Sequence, residues 1–462
     1  MLRLFRINDP YRLLWVLLIM SLMALPMLLN SEIVTYQELK GMVLGEALND
    51  GKMMYTQIVD DTPWLGAQTA RWIELIFGRS LTARHIVALI LLFFQAAFFS
   101  LILIRNKAYN ENNYFPAVIF GVLCFFSFDM LALSDELWAS TFLLFALNNL
   151  FKEIEFKVQR DENILNLGVF LGIASLFVFS TSIFLIGSVI ILLIFARIDL
   201  RKSLMLLFGF LFPHLLLLAL YFFKNGLPEL ARSFYNANFT WETVKLVSWQ
   251  SLFWLGSSAI VYFFFSMVML GREARFTRYQ SQLLQVMLIW LVISVANVLI
   301  VRERTPHSFI IFLPSLSYFL SHYLLLIRRK WIAEVMLWVL IVSVVGMNVA
   351  ARTGKFNRVD YSRMFVKTNS TIENKRILIL GDAFQLYKDN KMASYFLNWE
   401  LSKEIFELNR YYDDLVMISE SFEADPPQII VDERNKMGKI FSRLPSLKAK
   451  YQRKGIFYER IN

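Results

Sequence analysis

The residues able to do chemistry fall into a few groups. Glu38 and the pair Asp60-Asp61 lie in a long loop, residues 30–85, between the first two apolar spans. Asp135-Glu136 opens the fourth span, and Arg302, Arg304 and His307 precede Phe312-Leu313-Pro314. A carboxylate in such a loop can orient or deprotonate an acceptor group, and cationic side chains can stabilise a developing anion. Simpler readings stand beside these. Loop acids are also solvated residues or helix caps, arginines at a membrane surface also snorkel to lipid head groups, and Asp50 before Gly51 reads as a turn residue.

These groups need a membrane scaffold. The chain has 462 residues, 57% hydrophobic, with 43 Phe, 18 Met and only 18% charged residues, too little polar surface for a soluble protein of this length. The net charge of +10 does not require nucleic acid as a partner. Most Lys and Arg sit in short clusters beside apolar spans, where they set topology and meet anionic head groups of membrane lipid. The single cysteine, Cys124, lies in an apolar segment and reads as an inert core thiol, so neither a disulfide framework nor a cysteine metal site is available. The apolar run after Arg3, Arg6 and Arg12 lacks a small-residue cleavage site and reads as a retained first helix.

Hydropathy predicts about eleven transmembrane helices, near 13–29, 86–104, 114–128, 137–151, 166–180, 182–196, 203–222, 251–271, 283–301, 309–327 and 331–350. The stretch Leu167 to Ala196 could be one tilted helix or two. Basic clusters decide it, because Lys152, Lys157 and Arg160 before the run and Arg197, Arg201 and Lys202 after it both favour the cytoplasm. Two helices and a tight outer turn at Ser180-Thr181-Ser182 satisfy both. With the N-terminus cytoplasmic, Arg105 and Lys107, then Arg272, Arg275 and Arg278, then Arg328, Arg329 and Lys330 all fall inside. The loop 30–85, the turn 129–136, the loop 223–250 and everything after Ala350 fall outside. Arg302 and Arg304 then run against the positive-inside rule.

Within the first loop, Trp64, Leu65, Gln68, Trp72, Ile73, Ile76 and Phe77 fall near a 3.6-residue period and predict an amphipathic helix in the membrane interface. The chain divides into a membrane domain, 1–350, and a small soluble domain, 351–462, of α/β type. Its strands are predicted at Arg376 to Asp382, Leu415 to Ser419 and Gln428 to Asp432, with helix between Ala393 and Leu408. Gly381-Asp382 reads as a structural turn without a glycine-rich phosphate loop. His214 and His322, within spans, read as buried, hydrogen-bonded core residues.

The loop order resembles the GT-C membrane glycosyltransferases, and in particular the protein O-mannosyltransferase and lipid A aminoarabinose transferase type. The matching positions are Gln37-Glu38, Ala47 to Gly51, Tyr55, Asp60 to Leu65, Phe77-Gly78-Arg79-Ser80 and Arg84, then Asp135-Glu136, then Arg302 to His307. The resemblance implies a polytopic α-helical GT-C-like membrane protein with a periplasmic C-terminal domain in the bacterial inner (cytoplasmic) membrane. It implies an inverting transfer of sugar from a polyprenyl-phosphate-linked donor to a glycan, lipid or protein acceptor of the envelope. Glu38 with Asp60 or Asp61 would orient the acceptor hydroxyl, Arg302, Arg304 and His307 would hold the lipid phosphate, and Asp135 and Glu136 would line the substrate site. No cofactor is required. A divalent metal is compatible with the acidic loop, but no His-Glu-x-x-His or comparable spacing supports it.

The chain departs from the family twice: Gln37-Glu38 stands where Asp-Glu is usual, and Asp61-Thr62-Pro63 where Lys-Pro-Pro is usual. These departures keep open a non-catalytic envelope scaffold of GT-C ancestry. Many spans and outer arginines also keep open a polysaccharide polymerase or ligase, although such proteins usually carry their large loop late and not after the first helix. A transporter is less attractive, because neither an inverted repeat nor a pair of broken helices is visible.

Overall fold

The long apolar runs become helices because no water is available in lipid to satisfy an open backbone. The computed structural model describes residue 5 and residues 9–29, 34–155, 160–239, 244–273, 276–366 and 372–461. Arg3, Arg6, Lys157 and Arg275, part of the expected basic clusters, lie outside the described residues. Each of the predicted spans coincides with a helix, and the chain is a polytopic α-helical membrane protein with a small C-terminal α/β region. Among the described residues, six helices are long and apolar enough to cross a membrane, Leu81–Arg105, Leu200–Phe223, Trp249–Arg272, Arg278–Ile300, Pro306–Leu326 and Lys330–Arg352. The stretch from Leu167 to Ala196 is two helices, Asp161–Phe177 and Ile183–Phe195, joined by a 3-10 turn at Phe179–Ser182.

One span is shorter than its apolar run. Phe115–Leu123 has nine residues, about 14 Å of helix against a hydrocarbon core of about 30 Å. Turns follow it, and a 3-10 turn at Phe128–Leu131 bends the chain so that Ser127 and Asp129 are buried in protein.

Two compact units form from discontinuous segments. The first combines Met1–Glu32, Leu81–Leu216 and Trp241–Met364. Its helices turn apolar side chains outward, as at Ile90, Phe94, Leu204, Leu207 and Phe208, and keep polar ones inside. Gln95, fully buried, places its Nε2 2.9 Å from Leu137 O and 2.8 Å from Thr141 Oγ1, which ties Leu81–Arg105 to Asp135–Ile154. Interhelical hydrogen bonds of this kind and small residues replace the hydrophobic drive that lipid removes. At Gly168 a Cβ would lie 2.3 Å from Leu206 O, so only glycine lets Asp161–Phe177 approach Leu200–Phe223 this closely.

The second unit combines Ile33–Ser80, Leu217–Thr240 and Phe365–Asn462. Its sheet runs in the order Lys391–Met392, Arg376–Leu380, Ile429–Asp432, Phe457–Arg460, Tyr451–Lys454; the first three strands are parallel and the last two join antiparallel. The first loop belongs to this core. Val59 packs with Leu378, Phe396 and Phe406, and its N–H donates to Tyr395 O at 2.7 Å. Leu415 to Ser419, expected as a strand, lies in the helix Tyr411–Ala424. Ile418 and Phe422 are buried while Val416 is exposed, so the four-residue spacing of the core contacts outweighs local β propensity.

Candidate functional site

The candidate residues fall into two groups, one in each unit. In the second unit, Thr35 precedes the helix Tyr36–Asn49, and Glu38 sits at its third position. The Glu38 N–H donates to Thr35 Oγ1 at 3.3 Å, while Glu38 Oε2 accepts from Thr35 N at 3.0 Å and from Thr35 Oγ1 at 2.8 Å. This reciprocal cap satisfies donors that a helix start leaves open. Glu38 is buried, with one carboxylate oxygen engaged in the cap. Asp50, the expected turn residue, caps the other end and faces Arg376 at 3.7 Å.

Asp60 and Asp61 share Lys40, whose Nζ lies 3.4 Å from Asp60 Oδ1 and 3.1 Å from Asp61 Oδ1. A lysine thus stands beside Asp61-Thr62-Pro63 although none precedes the proline in sequence. Asp60 is fully buried and accepts from the Thr62 N–H at 3.1 Å and from the Thr62 hydroxyl. Burial pushes its carboxyl above the usual range, against the pull of Lys40, with Asp61 adding to the rise. Asp61 accepts from Asn398 Nδ2 at 2.9 Å, and its carbonyl accepts from Asn238 Nδ2 at 3.1 Å. The segment is held by Tyr55, whose φ of 68° is left-handed and whose hydroxyl donates to Thr62 O at 2.9 Å. Backbone strain of this sort is held in place by surrounding structure.

The amphipathic helix is present as Trp64–Phe77. Trp72, Leu75, Ile76 and Phe77 are exposed while Gly66, Ala67, Ile73 and Glu74 are buried, so Ile73 lies on the protein side of the helix. At Gly45 a Cβ would meet Ala70 O at 2.6 Å, a close approach that seats this helix on Tyr36–Asn49.

In the first unit, the chain from Arg302 to Ser308 meets the turn that opens Asp135–Ile154. Pro306 starts a 3-10 turn, a position with no need of an N–H donor. The next N–H, that of His307, donates to Asp129 Oδ2 at 3.1 Å. His307 Nδ1 is 2.8 Å from Ser134 Oγ, and this same hydroxyl accepts from the Leu137 N–H as the helix cap. Asp135 and Glu136, half-buried, occupy the first turn of that helix, where its dipole favours negative charge. Asp129 is 3% exposed, and burial pushes its carboxyl up, with His307 opposing the shift.

Arg302 is half-buried. Arg304 is 5% exposed, with its guanidinium carbon 4.0 Å from the centroid of the Trp249 ring. Among the described residues it has no carboxylate partner. Burial lowers its pKa from the arginine range. A desolvated guanidinium without a counter-charge is costly unless an anion meets it. Nearby on the chain, Thr305 Oγ1 and Ser308 Oγ are buried without a hydrogen-bond partner among the described residues, two further polar groups suited to a polar ligand. Sequence reasoning missed Asp129, Ser134, Trp249 and Lys40. Only Asp129 carried a signal, a lone acid in the apolar run Phe-Ser-Phe-Asp-Met.

The histidines within spans are held by neighbours. His214 Nε2 lies 2.8 Å from Ser175 Oγ, and the His322 ring packs against Tyr109 in a tilted contact and edge to face against Tyr318. Among the described residues no group of three or more His, Cys, Asp or Glu could hold a metal ion.

Fold and membrane helices together define a polytopic membrane protein of the GT-C fold. The chain belongs to the family of unknown function DUF6427, whose sequence model matches residues 70–356. It is similar in structure to ArnT from Cupriavidus metallidurans bound to undecaprenyl phosphate, with a TM-score of 0.50, 13% identity and coverage of 74% of this chain. It spans 64% of that ArnT chain. The apo Archaeoglobus fulgidus oligosaccharyltransferase aligns at a TM-score of 0.49 and 10% identity, over 96% of this chain and 73% of that one. No curated protein matches in sequence.

Proposed function

We propose that the chain transfers a sugar from a polyprenyl-phosphate-linked donor to an acceptor of the cell envelope. The observation that carries this is Arg304, buried against Trp249 and lacking a carboxylate among the described residues. Arg304, with Arg302 and His307, holds the lipid phosphate and stabilises it as the leaving group. Asp135 and Glu136 contribute to substrate binding at the same turn. The acceptor hydroxyl is oriented by Asp60 or Asp61, and the raised carboxyl of Asp60 suits a general base. Glu38 belongs to the same proposal, and its part is separable from its capping role by substitution.

The reading includes a location. The N-terminus is cytoplasmic, the chemistry and residues 351–462 are periplasmic, and the membrane is the bacterial inner membrane, because the basic clusters at one set of turns agree with the positive-inside rule. Trp64 and Trp72 anchor the interfacial helix at head-group depth.

The test is a cell-surface glycan assay on Arg304→Ala and Asp60→Asn with membrane abundance monitored, and Arg105→Ala as a control. The proposal expects loss of glycan in the first two at normal abundance. One observation favours a second reading, a non-catalytic GT-C-derived scaffold: Asp60 and Asp61 are both tied to Lys40, and Glu38 to Thr35. Normal glycan in both variants would move that reading to first place.

A further inference from the structure

The Phe77-Gly78-Arg79-Ser80 segment has no part in the transfer proposed above, yet it builds a second feature within the second unit. Arg79 pairs with Glu46 through two bonds, Nε to Oε1 at 2.7 Å and Nη2 to Oε2 at 2.8 Å. Its remaining donors reach the carbonyls of Tyr387 at 3.0 Å, Asn390 at 3.1 Å and Lys388. Asn390, 2% exposed, continues the brace: its Nδ2 donates to Ile372 O and Leu386 O, each at 2.8 Å, and its Oδ1 accepts from the Lys375 N–H at 3.0 Å. The turn from residue 384 to residue 391 is thereby fixed against the edge of the sheet.

This brace forms one wall of a cleft of about 580 Å³. Its own charges cancel, because Arg79 is matched by Glu46, and Arg376 by Asp425 at 2.7 Å. What remains is a mixed set. Lys375, Lys388 and Lys391 bring three ammonium groups to the cleft, and none of them makes an ion pair among the described residues. Glu373 and Asp389 bring two carboxylates in the same condition, and Asn374 adds an amide. Beyond ion-pair distance Lys375 faces Glu459 and Asp389 faces Arg79. Three cations against two anions outside ion pairs leave a small positive excess, enough for one anionic group and too little for a polyanion such as nucleic acid. Carboxylates and an amide beside lysines suit a ligand that carries hydroxyls as well as an anion, since they accept from hydroxyl hydrogens while ammonium groups hold the charge. The volume lies within the range of small-ligand sites.

We infer that this cleft binds an anionic saccharide, a sugar bearing one phosphate or carboxylate group. The inference does not depend on sugar transfer by the chain. It rests on a preformed backbone, braced by Arg79 and Asn390, that presents hydroxyl acceptors and ammonium groups together.

The experiment is calorimetric titration of the full-length protein in detergent at low salt with glucose 6-phosphate, glucose and inorganic phosphate. Glucose 6-phosphate binds; glucose does not, and inorganic phosphate binds at least about fivefold more weakly. Lys388→Gln/Lys391→Gln weakens the sugar phosphate by about tenfold or more, and Lys375→Gln, on the neighbouring segment, weakens it as well. The exposed pair Lys448→Gln/Lys450→Gln leaves it unchanged, and added salt weakens it in the wild type. The idea is overturned by the absence of glucose 6-phosphate binding, by inorganic phosphate binding equally tightly, or by equal affinity in the lysine variants.

Discussion

Arg304 lies with its guanidinium 4.0 Å above the Trp249 ring and is 5% exposed, a buried cation stacked on an aromatic face. Such stacking contributes about 0.5–2 kcal/mol, and partial burial lowers the guanidinium's pKa, a cost that a bound anion would offset. The balance is met when an anion occupies the site, which is why this pair carries the functional proposal.

Arg304→Lys keeps the charge and loses the planar stack and the fork of donors. Transfer to the envelope acceptor falls by about a hundredfold or more in Arg304→Ala, and Arg304→Lys recovers little of it. Initial rates in membranes of matched protein content report this; full activity in the lysine variant would mean that charge alone suffices.

The cap at Tyr36–Asn49 separates structure from chemistry at Glu38. Thr35→Ala costs about 1 kcal/mol of stability, seen as a lower melting temperature in detergent. Glu38→Gln keeps the cap, because glutamine serves equally in a capping box. A loss of transfer in Glu38→Gln at unchanged melting temperature assigns Glu38 to the chemistry, and unchanged transfer leaves it to the cap.

Asp425 predicts the acid response of the second unit. Burial raises its carboxyl, but the bonds from Arg376 and Lys52 outweigh burial and hold it below the usual aspartate range. A depressed folded pKa gives stability that is present above the unfolded value of about 3.9 and lost as pH falls through the folded one. Melting temperature should therefore drop on acidification below about pH 4. Burial lowers Lys52 despite the opposing pull of Asp425, a constant cost wherever the lysine is charged that is relieved only as pH rises toward the lysine range, so it adds no slope on the acid side. Asp425→Asn leaves Lys52 buried without its carboxylate, costs about 3 kcal/mol at neutral pH, and flattens the acid limb. An unchanged acid limb in that variant would assign it to another group.

Gly45→Ala tests the seating of the interfacial helix. A Cβ there would lie 2.6 Å from Ala70 O and 2.7 Å from Glu74 Cβ, so one helix must move. The expected loss is about 1–3 kcal/mol, read as a lower melting temperature. A neutral effect would show that the two helices separate easily.

The spans were legible because runs of apolar residues of this length have no other stable state in lipid. The split between Asp161–Phe177 and Ile183–Phe195 was legible from basic residues on both sides of the run. The short helix Phe115–Leu123 was not, because hydropathy sees the apolar residues 124–128 and misses the bend that buries Asp129. Leu415 to Ser419, within Tyr411–Ala424, was misread as a strand because the short apolar run around β-branched Val416 and Ile418 hid the helical spacing of Ile418 and Phe422. The acids and arginines were found by type and position. Their partners were not, because Lys40 meets Asp61 across 21 residues and Ser134 meets His307 across 173, contacts that no local pattern encodes.

The central claim is that Arg304 holds a polyprenyl phosphate, and native mass spectrometry of the purified protein with undecaprenyl phosphate measures it directly. The wild type and Arg105→Ala should each retain one lipid phosphate, and Arg304→Ala should lose most of that adduct while melting at the wild-type temperature. Equal occupancy in Arg304→Ala, or no retained adduct in the wild type, would contradict the account.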